Sequence, residues 1–165
     1  SFLGRFFENL DPESSIVILS DHGMSNHPIK TKLDLESTLG KQANDKYVYF
    51  VDSSVCKIWY FDKDIKMKAR EYFNSLKTGR LITGAEREYW GVTNDICDDV
   101  FVLNSDFYFE PQYFGFGIRS KTYGMHGSLP ECEDQHGVLV TNVKTSVSSM
   151  RNKDVFNWFE DHGFL

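Results

Sequence analysis

The sequence predicts an α/β fold: a mixed sheet flanked by helices, carrying a small α+β insertion. Three observations predict it. The run Ile16-Val17-Ile18-Leu19 is apolar and mostly β-branched, reads as a strand buried on both faces of a parallel sheet, and stops at the polar sequence Ser20-Asp21-His22-Gly23. A second apolar run, Val138-Leu139-Val140, follows a glycine-bearing loop far along the chain. Between them, residues 47–83 read as a strand pair, a helix and a further extended segment.

Composition sets the outer bounds. The 165 residues carry enough apolar side chains for a core, and 14 Phe, 8 Tyr and 3 Trp argue against disorder. The net charge is −6 and the lysines and arginines are scattered, so the chain lacks the basic patch of a nucleic-acid binder. No apolar run approaches the length of a membrane span. Cys56, Cys97 and Cys132 form no Cys-x-x-Cys pair, which argues against a zinc ribbon and leaves one disulfide plus a free thiol open.

Taken in order, residues 2–10 place Phe2, Phe6 and Leu10 on one helical stripe that leads through Asp11-Pro12 into the first strand. Residues 25–30 are loop, because Pro28 disfavours helix at His27. His27 reads as a surface histidine, and Lys30 and Lys32 read as solvated lysines in preference to phosphate contacts. Residues 33–39 suit a short helix ending at Gly40. Residues 47–51 and 55–61 read as strands around the turn Asp52-Ser53-Ser54. Residues 62–77 form the clearest helix, capped by Asp62 or Asp64, with Ile65, Ala69, Tyr72, Phe73 and Leu76 on one face and Gly79 closing it.

Residues 80–83 resume extended structure, and residues 99–103 read as a strand returning to the main sheet. The domain organisation expected is therefore a core of residues 1–40 and 95–165 interrupted by an insertion of residues 41–94. Residues 104–123 look loop-like and are crowded with rings: Phe107, Tyr108, Phe109, Tyr113, Phe114, Phe116 and Tyr123. Most should pack the loop down, leaving one or two to stack on a nucleobase at about 1–3 kcal/mol each. Val155, Phe156 and Phe159 mark a last amphipathic helix that Asp154 could cap, with Gly163 near its end.

The chemistry centres on Asp21 and His22. Ligands bind beyond the carboxyl ends of strands in open α/β sheets, and an oxygen and a nitrogen donor side by side suit a zinc-like cation. Taken alone, Asp-His-Gly reads more readily as a turn in which Asp21 caps and His22 is merely polar. The later sequence Tyr123-Gly124-Met125-His126-Gly127-Ser128 changes the balance. Ser-Asp-His-Gly-Met early and His-Gly-Ser late together resemble the type I phosphodiesterase/nucleotide pyrophosphatase family of the alkaline phosphatase superfamily.

The resemblance implies the C-terminal part of an alkaline-phosphatase-like sheet and a site with two divalent cations, zinc first and manganese as the alternative. Asp21 and His22 would hold one cation and His126 the other. Such a site would hydrolyse phosphodiester or pyrophosphate bonds in nucleotide or other phosphate-ester substrates. Glu131 is then a candidate to orient His126, and Arg119 and Lys121 are candidates for phosphate contact. Met24 and Ser128 fit the phosphodiesterase branch better than the sulfatases.

Family members carry a Thr or Ser nucleophile and further ligands upstream, and residues 1–15 hold nothing of that kind. The expectation is a C-terminal portion with no catalytic nucleophile of its own, inactive without the N-terminal remainder of the same protein. Phosphonoacetate hydrolase, phosphomonoesterase and phosphoglycerate mutase of the same superfamily are the enzymatic alternatives. A degenerate protein that binds without catalysis is the alternative of another class.

Overall fold

The computed structural model describes residues 2–26, 29–113 and 124–165. Among them the elements run α1 (Phe2–Glu8), β1 (Val17–Leu19), β2 (Ser25–Asn26), β3 (Ile29–Thr31), α2 (Leu35–Leu39), β4 (Tyr47–Asp52), β5 (Val55–Tyr60) and α3 (Lys63–Ser75). They continue with β6 (Gly79–Leu81), α4 (Gly84–Trp90), β7 (Asp99–Leu103), β8 (Phe107–Phe109), β9 (Gly124–Met125), β10 (Leu139–Thr141) and α5 (Val155–Asp161). The fold is α/β, with mixed strand pairing. It divides into two compact units, Ser1–Gly23 with Gly137–Leu165, and Met24–His136.

The larger unit is built on a four-stranded antiparallel sheet in the order β4-β5-β7-β6. Strand side chains alternate between faces. Accordingly Cys56, Ile58, Phe101 and Leu103 join the core beneath α2 and α3, while Val55, Val100 and Val102 fall in a second cluster. Phe73 of α3 is fully buried and stacks on Phe101, ring centroids 4.9 Å apart. Burying a side chain of that size is worth about 1.5–3 kcal/mol, so this one contact anchors helix to sheet.

Helix α3 starts where Asp62 accepts hydrogen bonds from the amides of Asp64 and Ile65, at 2.8 and 2.9 Å. It ends at Leu76, before Gly79. Gly79 instead opens β6, where a Cβ would lie 2.4 Å from the Val102 carbonyl oxygen, so its role is close strand approach.

Several elements depart from expectation. Residues 99–103, expected to lead back towards the main sheet, form β7, which pairs with β5 and β6 inside the four-stranded sheet. Helix α4 was not foreseen. Thr83 and Glu86 form a reciprocal capping box at its start, and Gly91 closes it in the left-handed region. Arg80 pairs with the same Glu86 at 2.6 Å. Buried Arg87 donates to the carbonyls of Thr93, Cys97 and Asp98, which fastens the loop after α4. Residues 107–109, expected as loop, form β8 parallel to β3.

In the smaller unit, β1 runs antiparallel to β10, with Val17 opposite Thr141 and Leu19 opposite Leu139. The expected parallel, doubly buried strand is thus corrected. Ile18 and Leu19 are 38% and 46% exposed, and β10 is the partner of β1 among the described residues. An apolar run encodes a preference for burial but neither the direction nor the number of its partners. Asp154 does not cap α5; its carboxylate pairs with Arg151 at 2.7 Å. The residue α5 buries is Trp158, which stacks on His162 at 4.4 Å and donates to the Thr145 hydroxyl. All three cysteines are free thiols, and burial pushes the Cys56 and Cys97 thiols above their ordinary value.

Two expected outcomes test this architecture. Asp62→Ala should cost about 0.5–2 kcal/mol by removing the α3 cap, read as a lower urea midpoint at unchanged slope. The Arg80 guanidinium, with the Thr83 amide, holds the Glu86 carboxyl down to about 2 from its ordinary 4.5. A depressed carboxyl stabilises fully above its unfolded value and loses that contribution as pH falls towards the folded one. Glu86→Gln should therefore flatten the fall in urea midpoint between about pH 4.5 and pH 2, the window set by those two values.

Candidate functional site

Asp21 and His22 occupy the turn that leaves β1. Their positions are set by backbone contacts on both sides. Ser20 donates its amide to the Val138 carbonyl and accepts from the Val138 amide through its hydroxyl, both at 2.9 Å. The Asn152 side chain donates to the Asp21 carbonyl. One carboxylate oxygen of Asp21, Oδ1, accepts from the His22 amide at 3.0 Å.

The other oxygen, Oδ2, lies 3.5 Å from His22 Nε2, and His22 Nδ1 meets the Gly23 carbonyl oxygen at 2.8 Å. With the proton on Nδ1, that bond fixes the ring and leaves Nε2 as the basic nitrogen, the arrangement in which a metal-binding histidine is held by a backbone carbonyl. Zinc bonds of about 2.0–2.2 Å to two donors at roughly tetrahedral angles span close to the observed separation. The Asp21 side chain is 83% exposed and that of His22 40%, so both donors are accessible. The pair fits a cation.

His126 belongs to the larger unit. It follows β9, whose antiparallel pairing with β2 sets Ser25 opposite Met125 and Asn26 opposite Gly124. The His126 carbonyl accepts from the hydroxyls of Ser53 and Ser54, at 2.5 and 3.2 Å. On the other side, Gln135 Oε1 accepts from the amides of Gly127 and Ser128, at 2.8 and 3.2 Å. Gly127 sits at φ +90°, and a Cβ there would press within 3.1 Å of both Ser54 and Val55. The His-Gly turn is thus held by main-chain contacts while its imidazole is partly exposed.

Asp21 and His22 are brought side by side, and His126 lies in the other unit. Among the described residues no group of three or more His, Cys, Asp or Glu gathers into a cluster. Glu131 is exposed, and its negative charge acts on Arg80. Arg119, Lys121 and His27 lie outside the described residues, as do Phe114, Phe116 and Tyr123. Lys30 pairs with Glu110 at 2.6 Å, which raises the lysine's pKa and lowers the carboxyl's.

Of the rings considered for stacking, Tyr108 and Phe109 are buried and Phe107 packs on the core. Tyr113 is 67% exposed and leans on Phe50, centroids 4.9 Å apart. The residues that sequence reasoning missed are the ones that hold the backbone: Ser53, Ser54, Gln135 and Asn152. Polar residues of these types carry no local signal of such a task.

No protein-family model and no curated protein matches the sequence. Solved structures do match its fold. Human ectonucleotide pyrophosphatase/phosphodiesterase 5 matches at TM-score 0.64 and 16% identity, over 96% of this chain and 43% of that one. The murine enzyme matches at 0.59 and 15%, over 85% and 37%. Phosphonoacetate hydrolase of Sinorhizobium meliloti, bound to phosphonoacetate, matches at 0.63 and 16%, over 91% and 42%. The chain therefore spans about two fifths of the length of these structures and carries part of their fold.

Proposed function

We propose that this chain supplies part of a two-cation centre that hydrolyses phosphodiester or pyrophosphate bonds in nucleotide-type substrates. The observation that carries the reading is the Asp21–His22 donor pair, 3.5 Å apart with the ring held by the Gly23 carbonyl. A carboxylate and an imidazole favour zinc, with manganese as the alternative. When bound, such cations polarise phosphoryl oxygens and stabilise the charge that develops on them. Asp21 brings the negative charge that offsets one cation, His22 fixes the direction of its second donor, and His126 serves the other cation.

The nucleophile belongs, in this reading, to a segment outside these 165 residues, in keeping with the partial coverage of the matched structures. A murine ectonucleotide pyrophosphatase/phosphodiesterase 5 structure is bound to AMP, which favours a nucleotide. The phosphonoacetate hydrolase match, at TM-score 0.63 against 0.64 for the human structure, favours as second reading the hydrolysis of a small phosphonate.

In zinc titration calorimetry, Asp21→Ala and His22→Ala should each weaken binding by about tenfold or more, since each removes one donor of the pair. His27→Ala should leave it unchanged. An equal loss from His27→Ala would move the ligand into the loop and overturn the assignment. With zinc or manganese supplied, the chain alone should release no p-nitrophenol from bis-p-nitrophenyl phosphate or a p-nitrophenyl nucleotide ester, because in this reading another segment supplies the nucleophile. Metal-dependent turnover abolished by His126→Ala would show instead that the catalytic group lies within this sequence. Joined to its nucleophile-bearing segment, the centre should prefer the nucleotide ester over phosphonoacetate; the reverse preference selects the second reading.

A further inference from the structure

We infer that Gln135 is a positioning residue for the candidate centre: one carboxamide ties the His126-Gly127-Ser128 turn to the strand that follows Asp21-His22-Gly23. The inference rests on the metal-site reading above. Gln135 Oε1 accepts from two successive amides, Gly127 and Ser128, and Nε2 donates to the Ser25 hydroxyl at 2.7 Å. The oxygen end faces two N–H donors, so the orientation of the amide follows from its partners.

Both ends of the tie are anchored. Ser25 is 3% exposed and opens β2, three residues after His22. Gln135 ends a 3-10 turn, Glu133–Gln135, and its own amide donates to the Cys132 carbonyl at 2.9 Å. The hydroxyls of Ser53 and Ser54 hold the carbonyl of His126, so the peptide link that follows the imidazole is held at its oxygen by the two serines and at its N–H by Gln135. A ring on a backbone held in this way is presented in a set direction, and partners that orient a ligand typically change metal affinity by about 10–100-fold when removed.

The test uses the 165-residue chain and two readouts. In Gln135→Leu, which keeps the volume and removes the polar ends, the Gly127 and Ser128 amides should exchange with solvent roughly 2- to 10-fold faster. Amides of β4, β5 and β7 should keep their rates. In a zinc titration followed by imidazole NMR shifts, the midpoint for the His126 ring should rise about tenfold, while that for His22 stays put. Gln135→Glu retains an acceptor oxygen for both amides and should restore the protection of Gly127 and Ser128.

Unchanged protection at Gly127 and Ser128, or an unmoved His126 midpoint, would overturn the inference. If His126 in the unaltered chain ignores zinc, the metal-site reading fails at that residue, and amide exchange alone decides whether the tie exists. Should Gln135→Leu unfold the chain, Ser25→Ala replaces it by cutting one end of the tie. A His126 midpoint shifted upward then supports the inference, and an unmoved one overturns it.

Discussion

The larger unit depends on a buried turn whose polar groups must all find partners. Ser53 and Ser54 are 1% and 0% exposed. The Ser53 amide donates to Gln112, the Ser53 carbonyl accepts from Phe109, the Ser54 carbonyl accepts from Leu103, and both hydroxyls donate to the carbonyl of His126. A buried donor or acceptor left without a partner costs about 1–3 kcal/mol. Strand ends and loops remote in sequence therefore converge on one hairpin tip, and the His126 turn is among them. The sheet that supports this tip is in turn fixed by Phe73 against Phe101.

The smaller unit is held differently. Its β1–β10 ladder is short and leaves Ile18, Leu19 and Val140 substantially exposed. Side-chain amides extend the pairing: Asn142 accepts from the Ile16 amide and donates to the Ser14 carbonyl, and Asn152 reaches Asp21. A lone two-stranded ribbon is marginal in water, so such additional bonds matter more here than in the four-stranded sheet. The Asp21–His22 pair is thus oriented by main-chain and amide contacts.

Local signals were legible and distant ones were not. Helix α3 was readable because its cap, its apolar face and its length agree, and the β4–β5 hairpin was readable from strand patterns flanking a polar turn. Helix α4 was overlooked because Gly84 to Trp90 carries little apolar periodicity, although Thr83, Glu86 and Gly91 spell a capping box and a left-handed stop. Strand β8 was hidden among aromatic residues that suit a packed loop equally well. Asp21 and His22 stood out because both donors are adjacent in the chain. Ser53 and Ser54 stayed invisible because their bonds to the His126 carbonyl span 73 and 72 residues, and Gln135 because its bond to Ser25 spans 110.

The place of Trp158 has a practical consequence. Of the three indoles, Trp59 and Trp90 lie in the larger unit, and Trp158 lies in the smaller one, stacked on His162 and close to Phe164. The surroundings of the indole change when that stack opens. A chain with Phe in place of Trp59 and Trp90 is thus a single-fluorophore reporter of the segment around α5. A chain with Phe in place of Trp158 alone keeps the two indoles of the larger unit, so the melting of each unit can be followed in its own variant without any attached dye.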